Sequence, residues 1–233
     1  LVERVVKHLR HGCTKTAFGS PDVDVDYLDF VEAIFLLKAH IINFRKTLHP
    51  TLLYGSDSPH AESPEKAERK VTVVKDLLQA CHDALNLMES YLVIRLGLTN
   101  PKPRVLRLCD RMGLHKPEEI RALLFVVLIN AGVDLPTTAI RPTCSFMAKY
   151  AGMDHHTYLH FLSEDRPHVK QGLVGLSDAR FKTTLSECTL KVPREALAAL
   201  TGAPMSEAEL LKLDKSALAD VLNEEAAAME DNG

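Results

Sequence analysis

Histidines are concentrated in one short stretch of the sequence. The segment MDHHTYLHFLSEDRPHVKQGLV, residues 153–174, contains four of the chain's eleven histidines. His156 and His160 are four residues apart, a spacing that places both imidazoles on one face of a helix. Two such imidazoles can share a zinc ion, but a zinc site needs a third and usually a fourth ligand. Because His155 points off that face and His168 lies outside the helix, the pattern favours histidines without a metal. A metal site at His156 and His160, or a pH-sensitive contact, is the alternative.

Patterns typical of other chemistry are absent or incomplete in the sequence. There is no GxxxxGK[ST] or GxGxxG phosphate loop, no GxSxG nucleophile elbow and no HExxH zinc motif. Cys144 follows Arg141-Pro142 near a predicted helix start, a position that can lower a thiol pKa, but nothing else points to a triad. We therefore predict no catalytic residues and no cofactor for this chain, which is then not an enzyme.

Composition excludes further classes of protein. The 233 residues are 46% hydrophobic with a net charge of −3, which is typical of a globular protein and gives no global signal for nucleic acid or an anionic membrane. No apolar run reaches the length of a membrane span. Five widely separated cysteines without a CxxC pair predict buried thiols in an intracellular, reducing compartment, with the cytoplasm as first choice. Since the chain starts at Leu1 rather than Met, we expect a fragment of a longer protein.

Two long striped helices dominate residues 1–99, after a short helix over Leu1–His11. The first follows Asp24 or Asp26 as a cap and is predicted to end at His49-Pro50. The second starts at Ser63-Pro64 and runs to about residue 97. Its apolar residues alternate steps of three and four in a heptad pattern: Val71, Val74, Leu78, Cys81, Leu85, Met88 and Leu92. The turn-rich segment Gly55–Ser63 joins the two helices. The pattern predicts an antiparallel helical hairpin, with plain core helices as the alternative.

Shorter elements follow the proline-rich boundary Asn100–Arg104. Helices are predicted at Val105–Met112, Pro117–Asn130, Pro142–Ala151, Asp154–Leu162 and Arg194–Leu200, four of them closed by Gly113, Gly132, Gly152 and Gly202. Two short strands are predicted at Gly172–Leu176 and Leu185–Val192. Short helices followed by a two-stranded ribbon indicate a winged-helix domain over residues 104–202.

The C-terminal residues 203–233 are predicted to form two helices, Ser206–Leu213 and Lys215–Met229, and a linker, with a tail that frays from Glu224. The fold class is therefore mainly α with a small β-wing. In this prediction an N-terminal hairpin of long helices precedes the winged helix.

Charge is unevenly distributed over the second half of the chain. The span Arg166–Arg194 has six basic residues and two acids, and the helix near 105–112 adds Arg104, Arg107 and Arg111. Duplex DNA is a possible ligand for this charge, and a solvated or protein-facing basic surface is the favoured interpretation. The helix that would read bases, Pro142–Ala151, contains only Lys149 as a basic residue. The acidic residues from Glu195 onward indicate either docking between neighbouring domains or ordinary solubility.

Three segments resemble a known family. RLCDRMGL (107–114), SEDRPHVKQGLV (163–174) and LKVPREALAALTG (190–202) look like the winged-helix region that precedes the ATPase module in a group of AAA+ ATPases. The resemblance covers about residues 104–202. It implies an accessory function, in partner or substrate recognition or in positioning subunits, with an ATPase module in cis. The family's ATP-binding residues lie in that module, so none is carried over to this chain.

The resulting functional prediction is a non-catalytic N-terminal region of an AAA+ ATPase that contacts a protein partner and no membrane. The residues predicted to contact the partner lie on the wing: Leu173, Val174, Arg180, Phe181 and Lys182. The alternative is a DNA-binding winged-helix regulator with a helical dimerisation arm. A small metal-dependent enzyme that uses His156 and His160 is the third possibility.

Overall fold

The computed structural model describes residues 2–12, 16–19, 23–53, 64–133, 150–177, 189–202 and 217–230. In these ranges the helices are α1 (Val2–Gly12), α2 (Val23–Leu53), α3 (Pro64–Leu98), α4 (Arg104–Arg111), α5 (Pro117–Asn130), α6 (His155–Phe161), α7 (Pro167–Lys170), α8 (Arg194–Thr201) and α9 (Ala217–Glu230). Strands β1 (Gly175–Ser177) and β2 (Thr189–Lys191) pair antiparallel, with Leu176 opposite Leu190. The prediction of a mainly helical fold is confirmed.

Two compact units make up the described part of the chain. The first contains residues within 1–17 and 33–98. The second contains residues 18–32 and the described residues from Thr99 onward. Helix α2 therefore begins in the second unit and ends in the first. The division after Leu98 lies close to the predicted boundary at Asn100–Arg104, whereas the packing of residues 18–32 with the second unit was not predicted.

The first unit is built on α3. Helix α1 packs against it, and α2 is joined to it by an ion pair between Lys38 Nζ and Glu89 Oε1 at 2.8 Å. A hydrogen bond between Arg45 Nη2 and His82 Nε2, 3.1 Å long, also joins the two helices. Because the residue number rises along α2 as it falls along α3, the two helices run in opposite directions between these contacts. The apolar side of α3 includes Met88, which is completely buried.

Helix α2 differs from its prediction at both ends. Asp24 and Asp26 lie inside the first turn rather than before it, so the prediction that one of them caps the helix is wrong. Asp26 instead accepts a hydrogen bond from the Gly19 amide at 2.9 Å. The helix also continues through His49-Pro50 to Leu53, so the predicted stop is wrong. Pro50 removes one backbone donor from the helix interior, which usually kinks or ends a helix, but α2 continues for three more residues.

The second unit is organised around α5. Residues Ala122–Leu128 of this helix are buried on every side, as expected for a central helix contacted by α4, α6, α8 and β2. Asn130 at its C-terminal end holds the ribbon in place. Its amide nitrogen donates to the Leu190 carbonyl at 3.2 Å, and its side-chain oxygen accepts from the Val192 amide at 3.3 Å. Helix α5 therefore contacts four other elements of the second unit.

Glycines end the short helices as the sequence indicates. At the end of α4, Gly113 has φ of +67°, and the Leu114 amide donates to the Cys109 carbonyl at 2.9 Å. This is a Schellman ending, which favours glycine because an L side chain is strained at positive φ. Gly172 also has positive φ and follows α7, which is why β1 begins at Gly175 and not at the predicted Gly172.

The C-terminal helix also differs from its prediction. The helix predicted over Lys215–Met229 is confirmed as α9, but it continues to Glu230, past Glu224, where the tail was expected to fray. The predicted segments Gly55–Ser63 and Ser206–Leu213, and all but the end of Pro142–Ala151, lie outside the described residues.

Candidate functional site

The histidine-rich stretch includes helix α6 and the residues on either side of it. Asp154 caps α6, with its carboxylate accepting from the Thr157 amide at 2.7 Å. That hydrogen bond lowers the pKa of Asp154. His156 and His160 are exposed on α6. Among the described residues no three histidine, cysteine or acidic side chains group closely enough to hold a metal.

His168 lies in the core, although the sequence indicated a loop position. It sits in the short helix α7, completely buried, with its ring stacked on Phe161 at a centroid distance of 4.3 Å. Its Nε2 is 2.6 Å from the Phe161 carbonyl oxygen. Because a carbonyl only accepts, Nε2 carries a proton and donates it to Phe161. Burial lowers the pKa of His168 to about 4, with the charge of Arg166 acting in the same direction and the Phe161 hydrogen bond opposing it. This imidazole joins α6 to α7.

The buried imidazole of His168 predicts a specific dependence of stability on pH. Between pH 6.5, the ordinary pKa of histidine, and about 4, the unfolded chain binds a proton that the folded chain does not. The stability that neutral His168 contributes is thus complete above pH 6.5 and is lost as the pH falls toward 4. The expected slope from this residue approaches about 1.4 kcal/mol per pH unit. Urea unfolding at several pH values measures it.

The control for this slope is His168→Gln, which should remove it. An equal slope in wild type and His168→Gln would contradict the assignment.

A buried ion pair lies beside α7. Glu119 in the first turn of α5 is only 2% exposed, and its Oε2 is 2.9 Å from Arg166 Nη2. Arg166 is the residue that precedes α7, so this pair ties the N-terminal end of α5 to the turn between α6 and α7. Glu119 Oε1 and Arg166 Nε, both buried, make no hydrogen bond within the described residues. Each of the two charges therefore has the other as its ion-pair partner in a site that is mostly closed to water.

The predicted partner-contact residues are divided by the structure. Leu173 and Val174 are buried, at 4% and 2% exposure, and contribute to the core rather than to a contact surface. Arg180, Phe181 and Lys182 lie outside the described residues. Near the ribbon, the exposed basic residues that the structure does describe are Lys170, Lys191 and Arg194.

The arginine row of α4 is paired inside the second unit. Arg104 and Arg107 both contact the carboxylate of Glu225 on α9. The backbone amide of Arg104 also donates to Asp24 Oδ1 at 2.6 Å. The Nη1 of its guanidinium donates to the carbonyl of Ala199, in the last turn of α8, at 3.0 Å. Burial raises the pKa of Asp24, although the hydrogen bond and charge of Arg104 oppose the shift. Arg104 therefore joins four helices.

The same contact extends along α9. Arg111 pairs with Glu224 and lies 3.7 Å from Asp220 Oδ2. Leu218 and Val221 anchor α9 with apolar side chains that are almost completely buried. The acidic C-terminal helix thus covers the basic helix that, by sequence alone, could have contacted DNA.

Glu225 is expected to contribute to stability through its two arginines. Glu225→Gln should lower the free energy of unfolding by about 1 kcal/mol, because it weakens a partly buried ion-pair network and not an isolated surface pair. Thermal unfolding at low and high salt measures the effect, and the difference from wild type should shrink as salt screens the charges. The control is Glu118→Gln, an acid on α5 outside this network. A loss of equal size in both variants would contradict the claim.

An apolar surface is exposed on α3. Five aliphatic side chains of this helix are exposed to solvent: Val73 (64%), Leu77 (46%), Leu87 (42%), Ile94 (39%) and Leu98 (54%). With Ala80, Ala84 and Tyr91 they repeat at alternating steps of four and three. We call these eight residues the second stripe of α3, to distinguish them from the inward stripe that contains Met88. Contiguous exposed apolar surface of this kind marks sites of interaction.

Comparison with protein-family models, with curated proteins and with solved structures gave no match to the chain. In the described part of the chain no helix is both long and apolar enough to cross a membrane.

Neither the second stripe of α3 nor the packing of α9 on α4 was predicted from the sequence. The second stripe has a heptad signal as regular as that of the inward stripe, and a search for two seams on one helix would have found it. The docking of α9 on α4 had a weaker signal, since acids near the C-terminus and arginines near residue 104 are over a hundred residues apart.

Proposed function

We propose that this chain is a non-catalytic protein-interaction region and that the second stripe of α3 is its contact surface. The exposed aliphatic residues on that stripe are the observation that carries the proposal. Burying them against a partner removes apolar surface from water, which is the main driving force of protein association. The arginine row of α4, in contrast, is already occupied by α9.

The size of the native complex that contains this protein tests the proposal. In extracts of cells that express it, Leu77→Glu combined with Ile94→Glu should reduce the apparent mass, because charges cannot be buried at the contact. The matched control is Val93→Glu, since Val93 is 71% exposed on the same helix but lies off the second stripe. Unchanged mass in the double variant, or an equal reduction in the control, would refute the proposal.

The finer proposal is that the region belongs to an AAA+ ATPase and acts in partner or substrate recognition or in positioning subunits. It is supported by the resemblance of residues 104–202 to the family's winged-helix region and by the pairing of β1 with β2 next to short helices. The predicted helical hairpin belongs to the same proposal. An intracellular, reducing compartment fits the free thiols of Cys81 and Cys109. The open reading frame tests the AAA+ assignment: a Walker motif downstream of Gly233 is expected, and a reading frame without one would refute it.

A DNA-binding winged helix is the second candidate, favoured by the exposed Lys170, Lys191 and Arg194 near the ribbon. Binding to phosphates would weaken steeply as salt increases. Titration of the chain with duplex DNA at two salt concentrations, with wild type and the triple alanine variant of these residues, distinguishes the candidates. Salt-sensitive binding that the variant loses would establish the second candidate, and no binding near physiological salt would exclude it.

A further inference from the structure

Helix α3 has two apolar stripes that face different directions. The inward stripe includes Leu85, Met88 and Leu92, and Met88 is completely buried. The second stripe extends from Val73 to Leu98, a length of about 39 Å along the helix axis. Successive residues of a helix are rotated by about 100°, so the two stripes lie on adjacent sides of α3. This is the arrangement of a helix that contacts two different neighbours in a four-helix bundle.

The second stripe is self-complementary in one antiparallel alignment. In this alignment, Val73 faces Leu98, Leu77 faces Ile94, Ala80 faces Tyr91 and Ala84 faces Leu87. All eight residues find a partner, and both alanines face a large side chain. Alternation of large and small residues is what allows two helices to pack without voids. A parallel alignment would instead place each alanine opposite itself and leave space unfilled.

Charge favours the same register. Asp76 and Asp83 are exposed beside the second stripe, and in this alignment they lie opposite Gly97 and Ser90 of the other helix. A shift by one heptad in one direction brings Asp83 opposite Asp83, and like charges at that distance repel. A shift in the other direction leaves Val73 and Leu77 without partners. Space is available at the contact, since a Cβ added to Gly97 would meet no atom within 4 Å.

We propose that the second stripe of α3 binds the second stripe of another copy of this chain, antiparallel, in the register that pairs Val73 with Leu98. The proposal rests on the proposed function and names the partner of that surface. The α2–α3 pairs of two copies then form a bundle in which each α3 packs on α2 of its own chain and on α3 of the other. Such a contact positions two subunits by a two-fold axis between Ala84 and Leu87.

Sedimentation velocity of the purified 233-residue chain tests the proposal. Over about 1–100 µM we expect a concentration-dependent dimer. Leu87→Glu should weaken the dimer about a thousand-fold, because each dimer contains two such charges at the centre of the contact. Val93→Glu should leave it intact. Circular dichroism is used to check that both variants are folded. A monomer at the highest concentration, or equal association of the two variants, would overturn the proposal.

Cysteine substitutions test the register. A mixture of chains with Val73→Cys and chains with Leu98→Cys should form a disulfide between the introduced thiols, identified by mass spectrometry of the linked peptides. Neither variant alone should do so, since identical positions lie far apart in the antiparallel dimer. Linkage within one variant alone would overturn the register. If the purified chain is monomeric while the native complex still shrinks with Leu77→Glu and Ile94→Glu, the self-contact is wrong and the proposed function stands.

Discussion

Arg166→Leu is expected to destabilise the second unit by about 3–5 kcal/mol, because it leaves the carboxylate of Glu119 buried without its cation. Glu119 is 2% exposed and has Arg166 as its ion-pair partner at 2.9 Å. The cost of a buried charge exceeds the net contribution of the pair itself, so the loss is larger than that for a surface ion pair. Urea unfolding at neutral pH measures the change in the free energy of unfolding.

Two further variants separate this cause from a general disturbance of α7. Glu119→Gln in the Arg166→Leu background should recover part of the lost stability, because a neutral amide is less costly to bury than a carboxylate. Lys170→Leu, an exposed change in the same helix, should alter stability by no more than about 0.5 kcal/mol. A loss below about 1 kcal/mol for Arg166→Leu would show that Glu119 is solvated or paired in another way.

The same substitution is expected to have a large effect on stability at one residue of α3 and a small effect at its neighbour. Met88→Glu should cost more than about 4 kcal/mol, because it places a carboxylate in a completely buried position. Leu87→Glu should change the free energy of unfolding by no more than about 1 kcal/mol, since Leu87 is 42% exposed. Unfolding measured at concentrations too low for self-association keeps the two effects separate.

This pair of variants determines which side of α3 faces the core. Loss of the folded state in Met88→Glu together with near-normal stability of Leu87→Glu is the expected outcome. Equal and large losses would mean that the second stripe is part of the core, and the surface on which the proposed function depends would not exist.

Helices were predictable where the local signals agreed. Pro117 with Glu118 and Glu119 predicted the start of α5, and Gly132 predicted its end, as the structure has them. Helix α3 was predicted within one residue at its C-terminal end because its heptad pattern is long and regular. Local chemistry of this kind acts over a few residues and is readable from the sequence.

Tertiary contacts were not predictable in the same way. Leu173 and Val174 looked like the start of a wing, but hydrophobic residues next to a turn are equally suited to a core, and both are buried. His168 follows a proline and carries an ionisable ring, which indicated a loop. Its burial depends on stacking with Phe161, seven residues earlier, and on a neutral ring. The pairing of Arg104 with Glu225 depends on packing between distant segments, which no local pattern encodes.

Photo-crosslinking from α3 tests the central claim most directly. A photoreactive phenylalanine analogue at Leu87, on the second stripe, and the same analogue at Lys75, an exposed position off the stripe, are compared in cells that express the protein. The account predicts a discrete crosslinked protein species from position 87 and none from position 75. Equal crosslinking from both positions, or none from position 87, would contradict the claim that the second stripe of α3 is a protein contact surface.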